Sequence, residues 1–356
     1  MSDSTARAGA QAHGLIYPFP EAPEAGKSLE IAPGVLWIRM PMPFALDHVN
    51  LWAIADGDGW TVVDTGLRST HSVDVWEALF ADALGGRPVT RVIATHMHPD
   101  HLGLAGWMTR RFDCRFWCTR LEYLNCRVLM ADTGREAPPE AIAFLRGAGW
   151  TDAALGGYRA RFGNFGQRIH PLPDSYRRIR DGETFRIGEH EWEVVVGIGH
   201  SPEHACLWSR TLKLFISGDQ VLPRISSNVS VHPMEPDANP MADWLDSLQM
   251  LRARVDNDVL VMPGHNLCFH GLHERLSALY DGQTTTLDRL RERLTSGPQR
   301  VVDVFSVLFK RAITESDVAT LGLATGEAQA CLNYLRETGE ATLHTDEAGI
   351  RWYTRA

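Results

Sequence analysis

The segment Thr95-His96-Met97-His98-Pro99-Asp100-His101 places three imidazoles and a carboxylate within six residues. Core packing does not account for that density, because each imidazole brings polar nitrogens that must be satisfied, and clustered rings repel when protonated. A bound cation removes both difficulties. Imidazole and carboxylate together suit borderline divalent ions of the zinc type. One loop of this composition can feed two adjacent ions, His96 and His98 on one, Asp100 and His101 on the other.

Two ions need further ligands, and later segments supply candidates. They are His200 in Val194-Val195-Val196-Gly197-Ile198-Gly199-His200, Asp219 in Phe215-Ile216-Ser217-Gly218-Asp219, and His265 in Val261-Met262-Pro263-Gly264-His265. Each follows an apolar, β-rich run and stands beside glycine, where the chain can turn and approach a centre closely. Asp64, in Val62-Val63-Asp64-Thr65-Gly66, has the same setting. Of the remaining histidines, His204, His232 and His270 lie near these motifs.

The elements that must position these side chains follow from the apolar pattern. Strands are expected at Val35–Met40, Val49–Ile54 and Trp60–Asp64, the last two joined by Asp56-Gly57-Asp58-Gly59. A helix carrying Val73, Trp76, Leu79 and Phe80 leads to a strand at Arg91–Thr95 and the histidine loop. Residues 103–176 read as a helical insert, with helices over Leu121–Met130 and Pro139–Arg146. Further strands are expected at Glu191–Val196, Ala205–Ser209, Lys213–Ser217 and Asp258–Met262, with a helix opened by Asn239-Pro240 between the last two. After His273 the pattern gives a helix to about Leu294, helices over Val301–Arg311 and Ala328–Glu337, and a hairpin of Ala341–His344 with Ile350–Tyr353. Three parts result: an N-terminal arm (1–31), an α/β sandwich bearing the candidate ligands (32–272), and a C-terminal winged-helix-like segment (273–356).

Composition bounds the function classes. The chain has 356 residues, 44% hydrophobic and 22% charged, which is the make-up of a folded globular protein. It has no apolar run long enough to span a bilayer, and its first residues lack the apolar core of a secretory leader, so a cytoplasmic protein is expected. Six cysteines without a C-x-x-C pair read as reduced thiols. A net charge of −9 argues against broad nucleic-acid binding. Residues 297–356 carry six basic against eight acidic side chains, a poor footprint for phosphate. Packing or homodimerisation is the expected role of that segment.

The ordered set Asp64, His96-x-His98-x-Asp100-His101, His200, Asp219 and His265 resembles the metallo-β-lactamase-fold hydrolases over residues 32–272. The resemblance implies a four-layer αββα sandwich with a two-metal site at one edge. It implies His96, His98 and His200 on one ion, Asp100, His101 and His265 on the other, Asp219 bridging, and Asp64 supporting the loop from behind. Zinc is the expected ion, with iron and manganese as alternatives; flavin-linked di-iron relatives carry Glu where this chain has His98.

Such a pair holds a bridging hydroxide at neutral pH, polarises the bond under attack and leaves Asp100 to orient the nucleophile. No serine elbow of the G-x-S-x-G type is present. The expected reaction is metal-assisted hydrolysis, with a small acyl thioester or related substrate first, as in the glyoxalase II branch. A thiolate leaves without protonation, which fits a site whose acids and imidazoles are all committed to metal. A β-lactamase-like single-strand endoribonuclease, a lactonase or β-lactamase, a mononuclear iron persulfide dioxygenase and a non-catalytic relative are the other readings. Trp107, Trp117, Tyr123, Trp150 and Tyr158 either wall an acyl pocket or pack the insert; no substrate-binding residue is assigned.

Overall fold

The computed structural model describes residues 11–12, 14–44 and 46–356. A short antiparallel pair, β1 (Gln11–Ala12) and β2 (Leu15–Ile16), precedes the first sheet. That sheet has seven strands in chain order: β3 (Ser28–Ala32), β4 (Val35–Pro41), β5 (His48–Asp56), β6 (Gly59–Val63), β7 (Val89–Ile93), β8 (Arg115–Cys118) and β9 (Arg177–Arg178). It is antiparallel from β3 to β6 and parallel from β6 to β9. The second sheet also runs in chain order, through β10 (Thr184–Ile187), β11 (His190–Gly197), β12 (His204–Ser209), β13 (Leu214–Gly218) and β14 (Leu260–Pro263), with only the β13–β14 pair parallel.

Both faces of the central strands, β4 to β7 and β11 to β14, are largely apolar because both are covered. Alternation along β4 divides the work. Val35 and Trp37 point between the sheets and meet Trp52, Trp192, Leu207, Ile216 and Met262. Leu36, Ile38 and Met40 point outward and meet the helices α1 (Thr70–Ala81) and α3 (Ala105–Phe112) through Trp76, Leu79 and Met108. The outer face of the second sheet, with Val195, Trp208, Phe215 and Val261, is covered by α8 (Pro240–Arg254), α9 (Leu272–Leu294) and α11 (Val318–Glu337). Fully burying each such large side chain contributes roughly 1.5–3 kcal/mol. The expected αββα sandwich is the fold observed.

Local signals explain the helix starts. Ser69 caps α1 by accepting from the Ser72 amide at 2.9 Å. Asn239 caps α8 in the same way through Ala242, with Pro240 in the first turn. The short helix α2 (Pro99–Leu102) begins with proline at its first position, where a missing N–H removes nothing.

Several expectations need correction. Of the expected arm 1–31, residues 1–10 and 13 lie outside the described residues; in the rest, Leu15 and Tyr17 are buried in the core and Ser28–Ala32 pairs as an edge strand with β4. The stretch 103–176 holds helices α3, α4 (Arg120–Ala131), α5 (Pro139–Gly147), α6 (Asp152–Arg161) and α7 (Asn164–Gln167), but also β8. Four residues with Phe116 and Cys118 facing inward are too short to raise a strand signal. The expected helix Val301–Arg311 is a 3-10 turn (Val301–Val304) followed by α10 (Phe305–Leu308); its β-branched run disfavours a longer helix. In contrast, α11 starts ten residues before Ala328, its early turns hidden by Gly322 and Gly326. The terminal hairpin is β15 (Ala341–Thr345) with β16 (Arg351–Arg355). All six cysteines are free. Among the described residues no helix is long and apolar enough to cross a membrane.

Candidate metal centre

The candidate ligands meet at one edge of the sandwich, where β6, β7, β11, β13 and β14 run out toward Asp64, the Thr95–His101 loop, His200, Asp219 and His265. Three groups of donor atoms form there, each lying mutually within 4.8 Å: His96, His98 and His200; His96, His101 and Asp219; Asp100, His101 and His265. The Asp219 carboxylate lies between the first group and the last. Its Oδ2 is 3.7 Å from His200 Nε2 and 3.4 Å from His265 Nε2, and its Oδ1 is 3.4 Å from His101 Nε2. The ring of His96 packs against those of His98, His101 and His200, with centroids 4.6, 4.1 and 5.1 Å apart. All of the sequence-derived ligand candidates are thus brought together. Asp64 stands behind them.

The hydrogen bonds on the far side of each ring fix which nitrogen faces inward. His200 Nδ1 donates to the Asn228 carbonyl and His265 Nδ1 to the His48 carbonyl, both at 2.8 Å. A carbonyl only accepts, so each of these Nδ1 atoms carries the proton. His101 Nδ1 bonds Asp64 Oδ2 at 2.8 Å. Outer partners of this kind set the tautomer and ring direction of metal-binding imidazoles. His98 is the exception, turning Nδ1 toward His96 Nε2 at 2.9 Å.

What remains at the centre is a set of buried polar atoms with no hydrogen-bond partner: His101 Nε2, His200 Nε2 and Asp219 Oδ1. Buried groups left this way are costly unless something occupies the space among them. Electrostatics agree. Burial opposes a charged His265, yet Asp219 and Asp100 outweigh it and push its pKa up to about 10. His101 is likewise held well above the ordinary imidazole range against burial, by Asp219, Asp100 and Asp64. His96 behaves oppositely: burial and the surrounding rings press it well below that range. One side of the cage therefore calls for positive charge, and the other offers neutral nitrogen donors. A pair of divalent ions fits both.

Partners behind the ligands hold this edge together, and Glu122 and Asn50 among them escape sequence reasoning. Asp64, at φ 60°, accepts from the Thr95 amide at 2.8 Å and the Thr95 hydroxyl at 2.7 Å as well as from His101. Glu122, fully buried on α4, accepts from the Met97 amide with one oxygen and the Glu203 amide with the other, both at 2.8 Å. It ties the 96–101 loop to the 198–204 loop, and burial pushes its pKa up to about 7. His204 lies stacked on His96 and accepts from the Asp219 amide at 3.1 Å. Asn50 donates to the Pro263 and Asn266 carbonyls, fixing the turn that bears His265. Gly264 has no room for a Cβ, which would run into the Asp219 carboxylate and the His101 ring. His270, by contrast, bonds the Val259 carbonyl at the start of β14, away from this edge.

The aromatic residues of 103–176 pack the fold. Trp150 donates to Thr325 at 2.8 Å, Tyr123 stacks on Tyr176 with centroids 3.9 Å apart, and Trp117 meets Phe185 edge-on. Trp107 packs on Phe80, and Tyr158 on Trp150.

Residues 45–265 match the model of the metallo-beta-lactamase superfamily. The chain belongs to that superfamily. Residues 287–356 match a second model, the metallo-beta-lactamase-like C-terminal domain. The metallo-beta-lactamase fold is shared with a crystal structure of a beta-lactamase domain protein from Burkholderia ambifaria, 39% identical, with a TM-score of 0.88 over 97% of this chain and 99% of that one. A probable metallo-hydrolase of Bacillus subtilis, YqjP, is 23% identical over 82% of this chain and 90% of its own length. The chicken acyl-coenzyme A thioesterase MBLAC2 is 29% identical over 65% of this chain and 77% of its own length. Membership of this superfamily makes the chain a metallo-hydrolase whose His and Asp groups could hold divalent metal.

Proposed function

We propose that this superfamily member hydrolyses an acyl thioester at a dinuclear site. His96, His98 and His200 would hold one divalent ion and Asp100, His101 and His265 the other, with Asp219 within reach of both groups; zinc is the ion favoured by this donor set. When bound, the ions supply Lewis acidity, lowering the pKa of water and polarising the carbonyl oxygen under attack.

The observation that carries the thioester reading is the commitment of every acid and imidazole at the edge. His101, His200 and His265 are anchored through Nδ1 and turn Nε2 inward, and the carboxylate of Asp219 is enclosed among them. No proton donor is left over to escort a poor leaving group. A thiolate departs without one: water oxygen bonds to the acyl carbon, the C–S bond breaks, and the electron pair leaves on sulfur. The resemblance to an acyl-coenzyme A thioesterase supports the same class.

Burial sets the direction of approach. His96, His101, Asp219 and His265 are buried and the His200 side chain is only 5% exposed, whereas His98 and Asp100 are half-buried and border the mouth. The Asp100 side chain, 24% exposed against 11% for Asp219, is the carboxylate placed to orient the attacking water, whose proton passes to solvent. Asp64, Glu122 and His204 keep the loops rigid around it.

The test is a substrate panel of acyl-coenzyme A esters, simple acyl thioesters, lactones and labelled single-stranded RNA, with and without chelator. Thiol release that a chelator and Asp219→Ala both abolish is the expected result. Cleavage of lactone or RNA with every thioester left intact overturns the thioester reading.

A further inference from the structure

The segment 222–233 follows Asp219 and lies between the metal edge and the C-terminal helix α11. Two consecutive residues of it touch candidate ligand residues from behind. Ser227 donates its hydroxyl to the Asp219 carbonyl, and the Asn228 carbonyl accepts the proton of His200 Nδ1 at 2.8 Å. The same two-residue clasp therefore bears on the residue between the two donor groups and on one ring of the first group.

The other side of this segment is held by α11. Asn228 Nδ2 donates to Glu327 Oε2 at 2.8 Å, and the Val231 amide donates to the Gly326 carbonyl at 3.0 Å. Gly326 permits the approach, because a Cβ there would lie 2.7 Å from Ser230 Oγ and 3.0 Å from the Val231 carbonyl. Ser230 in turn donates to Asn228 Oδ1, so both ends of the Asn228 amide are engaged. Without Glu327 the Asn228 side chain keeps on α11 only a 3.5 Å contact to the Leu323 carbonyl.

We propose that Glu327 of α11 is a positioning residue for the metal centre, acting through Asn228 and the Ser227–Asn228 clasp on His200 and Asp219, so that the C-terminal segment completes the site. The inference requires metal at His200 and is independent of which bond the enzyme cleaves. Outer partners that touch a ligand directly change metal affinity about 10–100-fold. Glu327 stands one bond further out, so an effect of about 5–10-fold is expected.

The test uses the full chain. Zinc affinity is measured by competition with a chromophoric chelator, and hydrogen exchange of the 222–233 peptide is followed in the metal-free protein. Glu327→Ala is expected to weaken zinc binding about 5–10-fold and to speed exchange in that peptide. Glu327→Gln, which keeps an oxygen acceptor for Asn228, is expected to restore both. Asn228→Ala attacks the clasp from the loop side and is expected to reproduce the loss, so the account stays testable should the helix variant fail to fold. The double variant should bind no more weakly than either single one. Tyr353→Phe serves as the control: it removes the phenol accepting from Gln329 at 2.7 Å on the far side of α11, lowering stability and leaving zinc affinity unchanged. Folded Glu327→Ala or Asn228→Ala protein with wild-type zinc affinity overturns the proposal, as does an equal loss in Tyr353→Phe. A chain that takes up no divalent ion removes the metal assignment itself, and the exchange experiment still reports whether Glu327 holds the clasp.

Discussion

The metal edge and the C-terminal layer handle buried polarity in opposite ways. At the edge, His101, His200 and His265 spend Nδ1 on Asp64, Asn228 and His48 and leave Nε2 aimed at a shared space. In the C-terminal layer polar side chains close on one another, with Gln329 Oε1 left over as a buried acceptor that has no hydrogen-bond partner. Gln329 Nε2 donates to Asn333 Oδ1 and to the Tyr353 hydroxyl, both at 2.7 Å, and Asn333 in turn donates to the Pro236 and Ala238 carbonyls. Arg291 grips both oxygens of Glu340 at 2.6 and 2.8 Å. One region keeps donor capacity in reserve for an ion, and the other uses its capacity to hold helices to a hairpin. Substitutions should therefore divide into those that change metal binding and those that change stability alone.

Removing the shared carboxylate should have the largest effect. Asp219→Ala is expected to leave less than one ion per chain by elemental analysis and to reduce hydrolysis by roughly three orders of magnitude, since the hydroxide-generating chemistry requires the ions. Retention of both ions and full activity would break the contrast at its strongest point.

Acidity should act nearly as strongly. His265 is pushed up to about 10 by Asp219 and Asp100, against burial, so the metal-free edge holds a proton at pH 7 that an ion must displace. Each proton released steepens binding by about tenfold per pH unit. Metal affinity is expected to climb between pH 6 and 9, measured by chelator competition. The sign for the metal-free fold is the reverse. A raised imidazole pKa stabilises fully below its unfolded value near 6.5, and that contribution is lost as pH climbs through about 10.

Asp64→Asn tests the support behind His101. The amide can still accept from the Thr95 amide, but it no longer offers a carboxylate oxygen to His101 Nδ1, and metal affinity should fall about 10–100-fold. Glu122→Gln should lie between the two classes. Each of its oxygens accepts a backbone N–H, and an amide nitrogen in either place opposes a donor with a donor. A loss of about 1–3 kcal/mol of stability is expected together with weaker metal binding.

The smallest effect belongs to the Arg291–Glu340 pair of the C-terminal layer. Arg291 holds the Glu340 carboxyl down at about 2 by its paired hydrogen bonds. That contribution is present above the unfolded value near 4.5 and lost as pH falls toward 2. Glu340→Gln should therefore lower stability by about 0.5–1 kcal/mol at pH 7 and by nothing near pH 2, with metal binding untouched. A change in metal affinity here would erase the division.

Much of this was legible in the sequence because the relevant signals are local. His96, His98, Asp100 and His101 occupy one loop, and His200, Asp219 and His265 each terminate an apolar run beside glycine. The sandwich follows from strands that are apolar on both faces. What escaped depends on distant chain segments meeting. Glu122 is one acid on an ordinary helical turn, and only the fold sets it between Met97 and Glu203. Asn50 acts on residues more than two hundred positions away, and Asn228 on a helix nearly a hundred positions away. β8 is four residues long, and its strand character comes from the neighbours on either side. The N-terminal arm conceals Leu15 and Tyr17, whose burial depends on a core built from later residues.

Anomalous diffraction from crystals of the metal-loaded protein, recorded at the zinc, iron and manganese edges, bears most directly on the central claim. Two peaks are predicted at the sandwich edge, one among His96, His98 and His200 and one among Asp100, His101 and His265, with Asp219 touching both. A single peak, peaks elsewhere on the molecule, or none from protein soaked at millimolar metal would contradict it.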